Sequence, residues 1–313
     1  MAGRRTNLAL LFLLAASFAT GVVAYGIGTG WGRWAVVAHG CVAFGIVVLA
    51  PWKSVVARRG LRRRRPDTGT SLAFTALIVI ALLSGVLHAT GIARSFGVVT
   101  AMQLHVGAAL LAIPLAVRHV IARRVRLHRT DLSRRQALRA GAIIGGAGLI
   151  YGAVEGIVRV TSLPGARRRF TGSYETGSFS PEDMPVTQWL NDRVPVIDIG
   201  TWRLDVRELE GARSWTYDEL LAFADGVTTV LDCTGGWFAT QRWTGARLSR
   251  LIATTAGARS ITVTSVTGYR RRFPTDAADV LLLATAVGDE MLSPGHGWPA
   301  RLVAPGRRGF WWV

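Results

Sequence analysis

Long uncharged stretches separated by basic clusters fill the first half of the chain, and short segments of mixed polarity replace them in the second. Leu8–Ile27, Trp34–Trp52, Thr70–Ile92 and Phe96–Val117 contain no Asp, Glu, Lys or Arg. Each is close to the roughly 20 residues needed to cross about 30 Å of hydrocarbon, so each predicts a spanning helix. A fifth segment, Ala140–Val154, is shorter and rich in Gly and Ala. From Phe170 the period changes. Trp202–Leu209 alternates as a strand does. Trp215–Ala224 predicts a short helix, with Thr216 as N-cap and Glu219 three residues later. Val227–Asp232 is a β-branched strand running into Cys233. Trp243–Ile252 predicts a helix, and Ser260–Ser265, Val280–Ala284 and Arg301–Val303 predict strands. The fold class is therefore a membrane α-helical bundle of about five transmembrane helices followed by an α+β, strand-dominated domain. Residues 1–130 are expected to form a four-helix transmembrane domain, 131–160 the fifth helix and its leader, and 161–313 an outer domain of a size sufficient for one core.

Charge changes the picture only once its distribution is known. The net charge is +18. Residues 1–154 carry 19 Lys and Arg against two acids, Asp67 and Asp131, whereas residues 155–313 carry 18 Arg against 17 acids. The excess belongs to the apolar half, where it reports membrane topology, and no nucleic-acid partner is expected. Lys53 to Arg65 holds seven basic residues and Arg118 to Arg139 eight, while the alternate loops hold one each, Arg33 and Arg94. The positive-inside rule puts the N-terminus and both basic loops in the cytoplasm and residues from about 160 onward outside. Ser133–Arg139 (SRRQALR) resembles a twin-arginine export signal, with Arg134 and Arg135 as the pair and Ala137 where Phe is usual. That resemblance implies export of a domain already folded around a cofactor. An ordinary positive flank gives the same topology.

Imidazoles at membrane depth are costly and point to function. His39 and His88 fall near the outer ends of the second and third helices, and His105 lies about two turns into the fourth from the same side. Helix segments LHVGAALLAIPLAVRH and SGVLHATG resemble those of bacterial membrane cytochrome b subunits. The resemblance implies one haem b toward the outer leaflet, clamped by His105 and by either His39 or His88. Gly40, Gly85 and Gly107 are expected to let a flat macrocycle approach the backbone. His119, roughly 21 Å along the axis from His105, has no partner histidine at inner depth, so His119 and His128 are expected at the interface. The competing expectation is that these histidines only hydrogen-bond between helices.

The chain has two cysteines, Cys41 inside an apolar run and Cys233. A disulfide between them is not expected, since one lies at membrane depth. No P-loop, CxxC pair or serine-hydrolase elbow is present. Cys233 opens Cys-Thr-Gly-Gly-Trp and is followed by Gly245 and Leu248. Trp202–Val206 (WRLDV) precedes it; Thr267–Tyr269 (TGY), Leu281–Thr285 (LLLAT) and His296–Pro305 (HGWPARLVAP) follow. This ordered set resembles the molybdopterin-binding domain of the sulfite oxidase family over roughly residues 180–313.

The resemblance implies that Cys233 is the thiolate ligand of molybdenum in a molybdopterin cofactor, a soft donor suited to that metal. It further implies that His296 and Arg301 contact the pterin phosphate, the arginine as a charge-assisted fork. Tyr269 and Arg271 are expected at the substrate mouth as catalytic residues, with the Arg270–Arg272 run drawing an anionic substrate or forming a basic surface. In the family a strand after Trp311-Trp312-Val313 carries a cofactor-contacting lysine, and this sequence stops at Val313, so one contact and closure of the last strand are expected to be lost. The expected function is oxygen-atom transfer at a sulfur or nitrogen centre by a membrane-anchored molybdopterin enzyme. Its substrate would be a small or protein-bound oxide or sulfite-like group, and its electrons would pass to a quinone or another carrier. The alternative is a cofactor-less or electron-transfer-only membrane protein with the outer domain as docking module.

Overall fold

The computed structural model describes residues 2–62, 68–122, 125, 128, 131, 133–187, 193–209, 211–253 and 256–313. Two compact units divide the chain: Met1–Gly26 with Gly30–Gly172, and Ile27–Thr29 with Ser173–Val313.

The first unit is built on five helices, α1 (Ala2–Gly26), α2 (Gly32–Arg62), α3 (Thr68–Thr90), α4 (Ala101–Ala122) and α5 (Arg134–Val160). All five are long and apolar enough to cross a membrane. They outrun the uncharged stretches because long basic side chains can flank an apolar helix without placing their charge in hydrocarbon. The fifth, expected over 15 residues, is 27 residues long. Helix α1 packs on α2, α3 on α4, and α5 on α2.

The fourth helix starts later than the apolar run. Ser95–Phe96 (β1) and Val99–Thr100 (β2) pair antiparallel, turning at Gly97 with φ +63°, a conformation glycine adopts without penalty. Polar contacts gather the basic ends of the helices. Arg4 donates twice to the Asp131 carboxylate, at 2.7 and 2.5 Å, and Lys53 donates to Asn7 at 2.9 Å. Ser71 and His119 Nδ1 lie 3.2 Å apart. The Arg4 guanidinium, with the His128 amide, holds the Asp131 carboxyl at about 2, below the usual carboxylate range. Of the basic residues in the two loops, Arg63–Arg65, Arg123, Arg124, Arg126 and Arg129 lie outside the described residues.

The second unit centres on an 11-residue strand. Its elements are β3 (Tyr174–Glu175), β4 (Leu204–Arg207), β5 (Ala212–Trp215), α6 (Tyr217–Leu221), β6 (Asp225–Asp232), β7 (Trp237–Arg247), α7 (Leu248–Leu251), β8 (Ser260–Thr264), β9 (Arg270–Pro274), β10 (Leu282–Val287), β11 (Glu290–Met291) and β12 (Arg301–Val303). Strand β7 carries the whole of β6, antiparallel, on one side. On the other it carries parallel β3 and then antiparallel β10; β10 in turn pairs with β11 and β12. Two hairpins, β4–β5 and β8–β9, stand apart from this sheet.

The helix expected over Trp243–Ile252 is therefore the end of β7 and a single turn, α7. Ala239, Gln241, Trp243 and Gly245 are buried in alternation, the period-2 burial of a strand, and Gly245 admits β10 closely. A Cβ there would stand 2.0 Å from the Leu283 carbonyl oxygen. The strand expected from Val280 starts instead at Leu282, because Thr275–Asp279 forms a 3-10 turn. The capping box of α6 forms as expected, with Glu219 N donating to Thr216 Oγ1 at 3.2 Å and Thr216 N to Glu219 Oε2 at 2.7 Å. Residues Gly309–Trp311 form a 3-10 turn, and the Leu302 amide donates to the Val313 carbonyl at 2.6 Å.

Trp243 is fully buried and meets Trp312 edge to face at 5.3 Å. Trp243→Ala should lower the stability of the second unit by about 3–5 kcal/mol, the range for emptying a large aromatic site. Denaturant unfolding followed by tryptophan fluorescence measures it, and a loss below about 1 kcal/mol would contradict this account of the core.

Candidate functional site

Cys233 sits at the tip of the β6–β7 hairpin. Strand β6 ends at Asp232, and the Cys233 amide closes the turn onto the Trp237 carbonyl at 2.9 Å, with Gly236 N donating back to the Cys233 carbonyl at 3.2 Å. The turn needs glycine at 236, where φ is +94°. The thiol is partly buried and accepts from Gly235 N at 3.3 Å. Burial pushes the Cys233 thiol up, opposed by the Gly235 amide, the Thr187 hydroxyl and the guanidinium groups of Arg308 and Arg301. Two hydrogen-bond donors are thus directed at the sulfur and two guanidinium charges act on it from nearby, surroundings that favour a thiolate once a metal replaces the proton. Thr187 is itself held by Trp237, whose Nε1 donates to its Oγ1 at 2.9 Å.

Behind the turn lies a buried ion pair. Arg308 Nη1 stands 3.1 Å from Asp232 Oδ1, with side-chain exposures of 4% and 3%. Arg308 Nη2 donates to the Cys233 carbonyl at 3.3 Å, and Ser173 Oγ donates to Asp232 Oδ1 at 2.7 Å.

His296 and Arg301 come to this region from the segment before β12. His296 is buried, and burial lowers its pKa, leaving the ring neutral. Its Nδ1 lies 2.9 Å from Ser293 Oγ and its Nε2 3.0 Å from the Met184 carbonyl, so both ring nitrogens are engaged within the protein and tie the segment leading to Thr187. Arg301 donates from Nη1 to the His296 carbonyl at 3.2 Å. Burial lowers its pKa and the Cys233 side chain opposes this, which puts its charge within electrostatic reach of the sulfur.

Tyr269 and Arg271 meet at one carbonyl. The Tyr269 hydroxyl donates to Phe310 O, and Arg271 Nε donates to the same oxygen at 2.8 Å. The Arg271 guanidinium lies 4.3 Å from the Tyr269 ring centroid and 5.1 Å from that of Phe310. A Cβ on the neighbouring Gly309 would stand 3.2 Å from Cys233 Cα, so the pair lies one residue along the chain from the cysteine backbone. A cavity of about 490 Å³ opens here, lined by Thr262, Arg270, Arg271, Arg272 and Trp311. Among the described residues no carboxylate pairs with these arginines or with Arg307.

In the first unit the rings of His39 and His105 stand 5.8 Å apart at 90°. His39 Nδ1 lies 3.0 Å from the Ser17 carbonyl and His105 Nδ1 2.7 Å from the Ala81 carbonyl. Each ring therefore donates from Nδ1, and neither Nε2 has a partner among the described residues. His88 differs: it is buried and its Nε2 is bonded to the Gly172 carbonyl at 2.8 Å. The glycines distribute unevenly. Cβ atoms at Gly21 and Gly85 would meet the His39 and His105 rings at 3.2 and 3.0 Å, Gly40 lies under the Tyr151 ring, and Gly107 faces nothing within 4 Å.

Residues 191–313 match the family model of the oxidoreductase molybdopterin binding domain. This part of the chain is therefore called the molybdopterin domain below, and the cofactor that its name implies is molybdopterin. Among solved structures the chain is similar to the sulfane dehydrogenase SoxCD from Paracoccus pantotrophus, with 26% identity, 38% of this chain and 38% of that chain covered, and a TM-score of 0.34. The chain thus spans well under half the length of that relative. No curated protein matches.

The molybdopterin domain's residues fit such a group in their donor chemistry. A thiol sits at a hairpin mouth, and half-buried Arg301 offers a cation near it to an anionic cofactor. Thr187, Ser173, Asp232 and Arg308 were not anticipated from sequence. Asp232, a carboxylate ending a β-branched run directly before the cysteine, was the one visible signal.

Proposed function

We propose that this chain is a membrane-anchored molybdopterin oxidoreductase that transfers an oxygen atom at a sulfur or nitrogen centre and exchanges electrons through a haem in its helical unit. The observation that carries this is the Cys233 thiol, set at a hairpin mouth inside a molybdopterin domain and hydrogen-bonded by the Gly235 amide, with the charges of Arg301 and Arg308 acting on it. The cofactor, when bound, supplies a two-electron couple. The chain's own residues do the rest. Cys233 holds the metal as a thiolate, Arg301 compensates the charge of the cofactor, and neutral His296 holds the Met184–Thr187 segment against it. Tyr269, Arg271 and the cavity beside Trp311 take an anionic or oxide-bearing substrate. Oxidation in this site consumes water and releases two protons and two electrons; reduction runs the reverse.

His39 and His105 are proposed as the haem ligands. A metal-ligating imidazole usually donates its other nitrogen to a carbonyl, the pattern both rings adopt. The two ring centroids stand 5.8 Å apart, so both imidazoles belong to one locus of the helical unit. The electron partner is proposed to be a quinone or another carrier. The basic helix ends, gathered by Arg4–Asp131 and Lys53–Asn7, support a cytoplasmic N-terminus, with the molybdopterin domain exported by the twin-arginine-like segment.

Two measurements test this proposal. Elemental analysis of the full chain made in a molybdenum-competent host should find about one molybdenum per chain, and a value near zero sinks the enzyme. A panel of sulfite oxidation against sulfoxide and N-oxide reduction should show turnover in at least one assay, and its selectivity names the substrate class.

A further inference from the structure

The tip of a hairpin is ordinarily one of the more mobile parts of a domain, whereas a metal ligand has to be held to within about half an ångström of its working position. Cys233 is on such a tip, so something must fix it. We propose that the buried Asp232–Arg308 pair, with Ser173, is a positioning device that locks the Cys233 peptide and so sets the direction in which its sulfur leaves the strand. The proposal rests on Cys233 being the molybdenum ligand.

The geometry converges on one peptide. Asp232 and Arg308 form a parallel β-bridge in addition to their ion pair, so backbone and side chains both dock the 308–309 segment against the end of β6. The Cys233 carbonyl receives Gly236 N at 3.2 Å from within the turn and Arg308 Nη2 at 3.3 Å from outside it, with Ser173 Oγ 3.4 Å away. Gly309 has no side chain where one would press on Asp232 O and Cys233 Cα, each 3.2 Å from the Cβ position. On the far side of the turn, Tyr174 N donates to the Gly236 carbonyl at 2.9 Å. The turn is thereby held at both of its ends and at the cysteine itself.

A buried ion pair is a poor choice for stability alone, because a pair of well-packed apolar side chains often does as well or better. A forked guanidinium does something an apolar residue cannot. It reaches a carboxylate by charge and a backbone carbonyl by hydrogen bond at once, from one planar group. Placing that fork on the peptide of the ligand is where the desolvation it costs is recovered as geometry. Lysine, a single point donor, cannot hold both partners in the same way.

The test uses the full chain with cofactor. The double variant Asp232→Asn/Arg308→Gln removes both charges together, so no buried ion is left alone. Its thermal unfolding should stay within a few degrees of the parent. Its molybdenum retention on dialysis should be about 10- to 100-fold weaker, the range seen when groups behind a ligand are removed, and the paramagnetic resonance of the half-reduced metal should be shifted and broadened. A double variant with parental retention and an unaltered resonance overturns the proposal. If that variant fails to fold, Arg308→Lys replaces it: the charge remains, the resonance should still shift, and an unchanged spectrum again overturns the device. A parent chain without molybdenum overturns the ligand assignment for Cys233 and the positioning device with it, an outcome distinct from an unaltered variant.

Discussion

Cys233→Ser should abolish the proposed oxygen-atom transfer while leaving the molybdopterin domain folded. The loss should exceed about 100-fold, because even groups that merely support a metal ligand account for 10- to 100-fold when removed. Serine keeps the size and the hydrogen-bonding capacity of the side chain. The turn depends on backbone contacts, Cys233 N to Trp237 O and Gly236 N to Cys233 O, which the substitution leaves intact. What changes is the donor: a soft thiolate becomes a hard hydroxyl that does not ionise under the same conditions. The stability change should therefore stay within about 1 kcal/mol, and thermal unfolding of the two proteins should nearly coincide. Molybdenum content and turnover measured side by side separate the effects. The other cysteine is the control. Cys41, within α2, should be replaceable by serine with no change in either quantity. A Cys233→Ser protein with parental turnover would remove the cysteine from the site altogether.

The sequence made some parts of this molecule legible and hid others, and the difference has a physical basis. Five helices could be read because 15 to 23 uncharged residues in a row are a long-range signal that no short-range conflict cancels. Their ends could not, since charged residues extend a helix beyond its apolar run and a single glycine at 97 diverts the chain into a hairpin. In the second unit, β6 was readable from Val227–Asp232, where branched residues dominate. Strand β7 was read as a helix from Trp243 onward. Its residues alternate in burial, but its inward set is Ala239, Gln241, Trp243 and Gly245, which a hydrophobicity pattern does not register as one face. Gln241 is fully buried and donates to the Gly177 carbonyl at 2.6 Å, a role visible only once the partner segment is placed. The chemistry followed the same rule. Cys233, His296 and Arg301 stood out by local string, whereas Arg308 and Ser173 belong to the site through contacts 75 and 60 residues away in sequence.

His105→Ala and His39→Ala should each remove the proposed haem completely, and His88→Ala should leave it in place. The sequence favoured His105 as one ligand and left His39 and His88 open as the other; hydrogen bonding separates those two. A neutral imidazole has one donor and one acceptor nitrogen. In His39 and His105 the donor is spent on a carbonyl, and the acceptor Nε2 is the one without a partner, which is the atom a metal takes. In His88 the Nε2 is already bonded to the Gly172 carbonyl, so ligation would require breaking a buried hydrogen bond and leaving that oxygen unsatisfied in a site where each such group is costly. The packing agrees, because α2 and α4 bring the His39 and His105 rings together at right angles from helices that are not principal packing partners, with glycines of α1 and α3 against the rings. Reduced-minus-oxidised spectra of purified membranes measure the outcome directly. A b-type band of about one per chain should vanish in the His39 and His105 variants and survive in the His88 variant. Loss with His88→Ala and retention with His39→Ala would reassign the ligands to the α3–α4 pair. A parent spectrum without the band would make all three histidines interhelical hydrogen-bonding residues, and electrons would then have to reach the molybdopterin domain from a separate carrier.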